Sequence, residues 1–212
     1  MKKIKALLSA AILLCIAIPA AAQFRYAPIA GVTINSMKFK NDLFPVASQV
    51  GYQAGIQAEL MFPGIGFGID FGLLYNQMGA KLDLGSRHLW QSQGFGNDNF
   101  YLHTIQIPIH LRFKWTRMNG LEDYIAPFVY GGPEMAILAG HSGPKGNPGV
   151  EDPFQYSGGD FGIGAGGGVE LLKRWQISFQ YTWGMSYLMK ARQLDNYSAK
   201  NGQWAIRVAY MF

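Results

Sequence analysis

The sequence predicts an all-β fold, an eight-stranded antiparallel up-and-down transmembrane β-barrel behind a cleaved signal peptide. Three observations carry the prediction. The C-terminal stretch GQWAIRVAYMF, residues 202–212, puts Trp204, Ile206, Val208, Tyr210 and Phe212 on one side of an extended chain and Gln203, Ala205, Arg207, Ala209 and Met211 on the other, because successive strand side chains point to opposite faces. A wholly apolar, aromatic face opposite a mixed and charged one suits a strand lying between lipid and a polar interior. Seven earlier segments alternate in the same manner. Beyond residue 22 no run reaches the roughly 18 uncharged apolar residues of a membrane helix, and a β structure crosses a bilayer only when closed, since lipid cannot satisfy an open strand edge.

Residues 1–22 read as a secretory signal peptide, with Lys2, Lys3 and Lys5 before an apolar centre and Ala20, Ala21 and Ala22 as the small-residue cleavage site. The barrel domain is then 23–212. The only cysteine, Cys15, lies in the leader and follows Leu14, where a lipoprotein cleavage site wants a small residue. The exported chain therefore has neither disulfides nor cysteine metal sites and is held by packing and backbone pairing. Three of the 18 Lys and Arg residues leave with the leader, so 15 basic residues face 13 acidic ones. That balance gives no footprint for nucleic acid.

The first strand is expected over residues 25–37, with Ala30, Val32 and Ile34 opposite Gly31, Thr33 and Asn35. Residues 38–48 are a polar loop. The second strand, 50–62, sets Tyr52, Ile56, Leu60 and Phe62 against Gln53, Gln57 and Glu59, and Pro63-Gly64 turns the chain. The third, 66–82, sets Phe67, Ile69, Phe71, Leu73 and Tyr75 against Asp70 and Asn76; a polar stretch over 85–99 follows. The fourth, 101–115, alternates without a break: Ile105, Ile107, Ile109, Leu111, Phe113 and Trp115 against Thr104, Gln106, Pro108, His110, Arg112 and Lys114.

The fifth strand, 124–138, starts with Ala126, Phe128 and Tyr130 in register as the apolar face, and Gly131-Gly132-Pro133 is expected to form a bulge that shifts its phase. Residues 139–158 are a long flexible loop by composition. The sixth, 159–171, sets Phe161, Ile163 and Ala165 against Asp160, Gly162, Gly164, Gly166, Gly168 and Glu170. A tight turn at Lys173-Arg174 leads to the seventh, 175–189, with Ile177, Phe179, Tyr181 and Trp183 opposite Gln176, Gln180 and Thr182; residues 190–201 are the last loop.

The connections alternate long and short, as in outer-membrane barrels, where short turns face the periplasm and long loops face outside. Phe62, Phe67, Trp115, Tyr124, Trp175 and Phe212 make one aromatic girdle, and Tyr52, Tyr75, Tyr101, Tyr130 and Tyr187 the other. The competing architecture is a soluble sandwich or lipocalin-like barrel with its apolar face inward. It is disfavoured because the second face, with its glutamines, glycines and charges, makes a poor dry core.

Glu59, Asp70, Arg112, Lys114, Glu170 and Arg207 all take the inward parity. The interior of an eight-stranded barrel is just wide enough to be filled by side chains, and isolated buried charges are costly. These six are expected to form an interior ionic network that plugs the lumen, with an ion or proton path as the alternative.

Tyr101-Leu102 through Ile107-Pro108 to Phe113-Lys114-Trp115, Pro127-Phe128 with Gly131-Gly132-Pro133, and Asp160-Phe161-Gly162 with Gly166-Gly167-Gly168-Val169-Glu170 are similar to strand motifs of the PorT-like outer-membrane β-barrel family of Gram-negative bacteria. Thr104, His110 and Trp115 depart from that pattern. The resemblance implies fold and a bacterial outer-membrane location, and transfers no catalytic or binding site. It also implies that Phe212, with Tyr210, is the signal read by the barrel assembly machinery.

Gly162, Gly164 and Gly167 satisfy G-x-G-x-x-G, but a strand rather than a helix continues from them, so no pyrophosphate site is expected. The inward glycines are expected to relieve crowding in a narrow barrel or to make room for a large side chain from across it. His141-Ser142 and His103 could join Ser86 or Ser92 in an ester-cleaving site only through loop packing. Asn97-Asp98-Asn99 and Glu151-Asp152 lack the spacing of a calcium loop, and the Asn196-Tyr197-Ser198 sequon carries little meaning in a bacterial exported chain. The reading is a non-catalytic outer-membrane scaffold or accessory component without cofactors. Its expected partners are outer-membrane lipid and lipopolysaccharide and a ligand or protein at the outer loops, with 139–158 the first choice of contact. A small pore and a lipid-modifying enzyme are the alternatives.

Overall fold

The computed structural model describes residues 23–39, 46–62, 64, 66–86, 88–144, 146–150, 152–191 and 198–212. The expected signal peptide with Cys15, residues 40–45 of the first long loop and 192–197 of the last, Pro63 and Glu151 lie outside the described residues.

Among the described residues ten strands follow in order: β1 (Gln23–Phe39), β2 (Val46–Met61), β3 (Phe67–Asp83), β4 (Asn97–Lys114), β5 (Ile125–Ser142), β6 (Phe154–Tyr156), β7 (Gly159–Leu171), β8 (Trp175–Gly184), β9 (Met189–Ala191) and β10 (Ser198–Tyr210). Eight of them are staves, each antiparallel to the next through β1, β2, β3, β4, β5, β7, β8 and β10. Pairing of β1 with β10, from Ile29↔Ala209 to Phe39↔Ala199, closes the barrel, so that every stave has a neighbour on both sides. The three-residue strands β6 and β9 pair with each other, and β9 with the start of β10.

Inside-outside alternation holds along the staves. In β10 and the two residues after it, Gln203, Ala205, Arg207, Ala209 and Met211 are buried while Trp204, Ile206, Val208 and Phe212 are exposed. Aromatics gather at both ends of the exposed face. Tyr26 stacks on Phe212 at 5.6 Å, Phe67 meets Phe113 at 4.8 Å and Trp175 meets Tyr210 at 4.9 Å near the short turns. Tyr52–Tyr75 at 5.6 Å and Tyr181–Trp204 at 4.3 Å lie nearer the long loops. The turn between β7 and β8 is tight because Leu172 and Lys173 both take left-handed backbone, with φ of 53° and 58°, the hand that matches strand twist in a hairpin.

Two expectations are corrected. β5 has no phase shift at Gly131-Gly132-Pro133: its register with β7 is continuous from Ile125↔Leu171 to Ile137↔Gly159. The irregularity lies instead between His103 and Thr104, opposite Leu138 and Gly140. Proline's missing N–H shows only as a local gap in the β4 ladder, which resumes at the same offset on either side. With the phase kept, Phe128 and Tyr130 are buried in the lumen, so Tyr130 leaves the expected girdle. Their holes are cut by glycine: a Cβ at Gly168 would sit 2.8 Å from Phe128 Cζ, and one at Gly166 would sit 2.9 Å from Tyr130 Oη.

The stretch 139–158 is not a uniform flexible loop either. β5 extends to Ser142, and β6 docks Phe154 into the barrel mouth at 1% exposure. Asp152 fixes the entry to β6, its carboxylate accepting from the Phe154 N–H and the Tyr156 hydroxyl, both at 2.9 Å.

Candidate functional site

The lumen is stacked in three tiers. Nearest the short turns lies a charge-balanced cluster of three cations and three carboxylates contributed by β1, β2, β3, β4 and β7. Glu59 accepts from Arg25 Nη2 at 2.6 Å, Arg112 Nη1 at 2.9 Å, Lys114 Nζ at 2.7 Å and Gln176 Nε2 at 2.8 Å. Glu170 accepts from Arg25 Nη2 at 2.6 Å, Lys114 Nζ at 2.9 Å and Gln176 Nε2 at 2.8 Å. Arg112 Nε donates to Asp70 at 2.6 Å, and its guanidinium carbon lies 4.1 Å from the Phe128 ring centroid. Equal numbers of opposite charges, each carrying charge-assisted hydrogen bonds, let the group sit out of water.

The middle tier is built on amides around one further carboxylate. Glu134 is 3% exposed and accepts from Gln106 Nε2 at 2.7 Å, Gln180 Nε2 at 2.6 Å and Thr182 Oγ1 at 2.9 Å, with His110 Nε2 at 2.9 Å. Arg207 Nε donates to Gln53 Oε1 at 2.8 Å, and Gln53 Nε2 donates to Gln106 Oε1 at 3.0 Å. A buried cation and a buried carboxylate are thus joined through two glutamines whose dipoles point the same way, which polarises each bond in the chain. Gln203 extends the tier by donating to Asn35 at 2.6 Å and Asn76 at 3.1 Å.

The third tier, at the long-loop end, is apolar. Met37, Met78, Leu82, Phe100, Phe154 and Met189 belong to one buried cluster that closes the mouth beneath the loops.

At the other end a vestibule of about 710 Å³ opens between the short turns, lined in part by Arg25, Lys114, Glu170, Arg117 and Lys173. Its rim is fixed by Arg117, which donates to the Gly64 carbonyl, and by Lys173, 2.6 Å from Asp123. The Asp123 carboxylate holds the Lys173 ammonium above its ordinary pKa. The backbone N–H groups of Glu122 itself, Met118 and Gly120 hold the Glu122 carboxyl below its own.

Of the six inward charges expected from the sequence, Glu59, Asp70, Arg112, Lys114 and Glu170 lie in the ionic tier, whereas Arg207 lies in the amide tier on Gln53. Sequence reasoning missed Arg25 and Glu134. Arg25 shares the odd, inward parity of Thr33 and Asn35, and Glu134 shares the even parity of Ala126, Phe128 and Tyr130, the face that the sequence pattern assigns to the outside. Of the histidines and serines considered for an ester-cleaving site, His103 Nδ1 is 2.6 Å from Tyr75 Oη, His141 stacks on Tyr156 at 4.3 Å, and Ser86 Oγ donates to the Asp83 carbonyl at 2.8 Å. Gly162, Gly164 and Gly167 all lie within β7. Phe212 is exposed, and its N–H donates to the Tyr26 carbonyl at 2.9 Å.

Over residues 7–212 the sequence matches the family described as outer membrane protein beta-barrel domain. The chain belongs to that family. No curated protein matches it. Among solved structures, this outer-membrane barrel is similar to OprG from Pseudomonas aeruginosa, with 11% identity, TM-score 0.52, and coverage of 91% of this chain and 96% of that one. It is also similar to a major outer membrane protein from Thermus thermophilus, with 13% identity, TM-score 0.49, and coverage of 88% and 99%. The likeness to OprG is one of fold. The barrel resides in the bacterial outer membrane, where short turns face the periplasm and long loops the exterior.

Proposed function

We propose that this barrel is a non-catalytic scaffold or accessory component of the PorT-like type, with a lumen plugged by its own side chains and contacts made through its outer loops. The observation that carries the reading is the filling of the lumen in three successive tiers: balanced charges, hydrogen-bonded amides and an apolar cap. A transport barrel needs a continuous polar path, and the apolar tier interrupts one. The outer loops favour a binding role because β6 and β9 give the loop end a fixed surface, with Tyr156, Tyr187 and Lys190 around a cavity of about 330 Å³. Lipid contributes through the aromatic girdles, and the assembly machinery through Tyr210 and Phe212.

A photo-crosslinker at Val150, which is exposed in the outer stretch 139–158, tests the reading in native membranes. The expected result is a discrete protein or surface-ligand adduct that is lost when the crosslinker is moved to lipid-facing Ile56. Equal yields at both positions, or turnover of lipopolysaccharide or phospholipid by the purified barrel, would overturn it.

A further inference from the structure

Between the ionic and amide tiers three buried polar atoms lack a hydrogen-bond partner among the described residues: Asp70 Oδ1, Tyr130 Oη and Arg207 Nη2. All three residues are more than nine-tenths buried, at 7%, 7% and 4% exposure. They come from β3, β5 and β10, yet all line one cavity of about 20 Å³, together with Gln57, His110, Arg112 and Ser178. Leaving each group unsatisfied carries its full desolvation penalty, which is greatest for the charged ones.

We infer that this cavity is a binding site for a single structural water, which joins the two polar tiers into one network. The chemistry selects the occupant. Asp70 Oδ1 requires a donor, Arg207 Nη2 requires an acceptor, and the Tyr130 hydroxyl serves as either. A halide satisfies Arg207 but is repelled by the Asp70 carboxylate, and a metal cation meets the opposite conflict; Arg112, also in the lining, already donates to Asp70 and Glu59. Water donates and accepts at once. The volume agrees, because one water needs at least about 10–15 Å³ and two to four polar partners, and three are present here.

The consequence is continuity. Arg112 donates to Asp70, and Arg207 leads through Gln53 and Gln106 to Glu134. With the water between Asp70 and Arg207, hydrogen bonds run unbroken from Arg25 at the vestibule to Glu134, and end beneath the apolar tier.

A crystal structure of the full barrel at about 1.8 Å or better, with a parallel bromide soak, tests the inference. The expected result is one ordered peak within about 2.6–3.2 Å of all three atoms, without anomalous signal after the soak, and its loss in Tyr130→Phe/Arg207→Met. A direct Asp70–Arg207 ion pair without a peak, or a bromide peak at the position, would overturn it. So would persistence of the peak in the double variant. Should that variant fail to fold, water-to-Arg207 side-chain cross-relaxation of the wild-type barrel in micelles gives the same decision by its presence or absence.

Discussion

Glu59 is the residue on which the ionic tier depends most, since Arg25, Arg112, Lys114 and Gln176 all donate to it. Glu59→Ala leaves three cations facing two carboxylates in a desolvated space, and removing one partner of a buried ion pair costs about 3–5 kcal/mol. Urea unfolding in lipid vesicles, followed by tryptophan fluorescence, is expected to show a loss of that order. An unchanged midpoint would mean that the cluster is hydrated and dispensable. Gly168 supports the same lumen by a different physics. An added Cβ would sit 2.2 Å from the Ile177 carbonyl oxygen and 2.8 Å from Phe128 Cζ, so Gly168→Ala is expected to cost about 1–3 kcal/mol by overpacking, read in the same assay. The inward parity of Gly168 was legible in the sequence, as was the demand for a large side chain opposite. Which side chain fills the hole was not legible, because that depends on the register between β5 and β7.

Two elements carry predictions of their own. β6 is held by Phe154 in the apolar tier and by Asp152 at its start. Phe154→Ala removes buried packing worth about 3–5 kcal/mol, and is expected to abolish hydrogen-exchange protection of β6 and β9 while the eight staves keep theirs. Loss of protection throughout would make the loop end a determinant of the whole fold. At the closing strand, Phe212 is exposed beside Tyr26 and Tyr210. A charge near the membrane interface costs only about 0–1 kcal/mol. Phe212→Asp is therefore expected to lower outer-membrane levels in cells while the purified variant refolds into vesicles with nearly unchanged stability. Normal levels in cells would remove the assembly role. The staves differ in how plainly the sequence announces them. β4, and β10 from Gln203 onward, alternate without interruption and are readable residue by residue. β5 is not, because its buried aromatics invert the usual apolar-outward sense and its Gly-Gly-Pro resembles a phase break. β6 and β9 are three residues each, too short to leave a period at all.

At the scale of the molecule, closure and parity sort every inward charge to the lumen, but tilt and register decide which charges meet. Lys114 of β4 reaches Glu59 of β2 and Glu170 of β7 at once, a convergence that no spacing along the chain displays. The separation of Arg207 from the ionic tier has the same origin, since β10 joins the barrel at an offset that sets it beside Gln53. The apolar tier was hidden because Met78, Leu82, Phe100 and Leu102 occupy inward positions at strand ends, where the sequence pattern favours a polar interior. In the proposed reading the tiers together close the barrel along its length. Single-channel recording of the refolded barrel in planar bilayers tests it most directly. The filled lumen predicts a flat baseline without discrete conductance levels, whereas reproducible open-channel steps from the wild-type protein would contradict it.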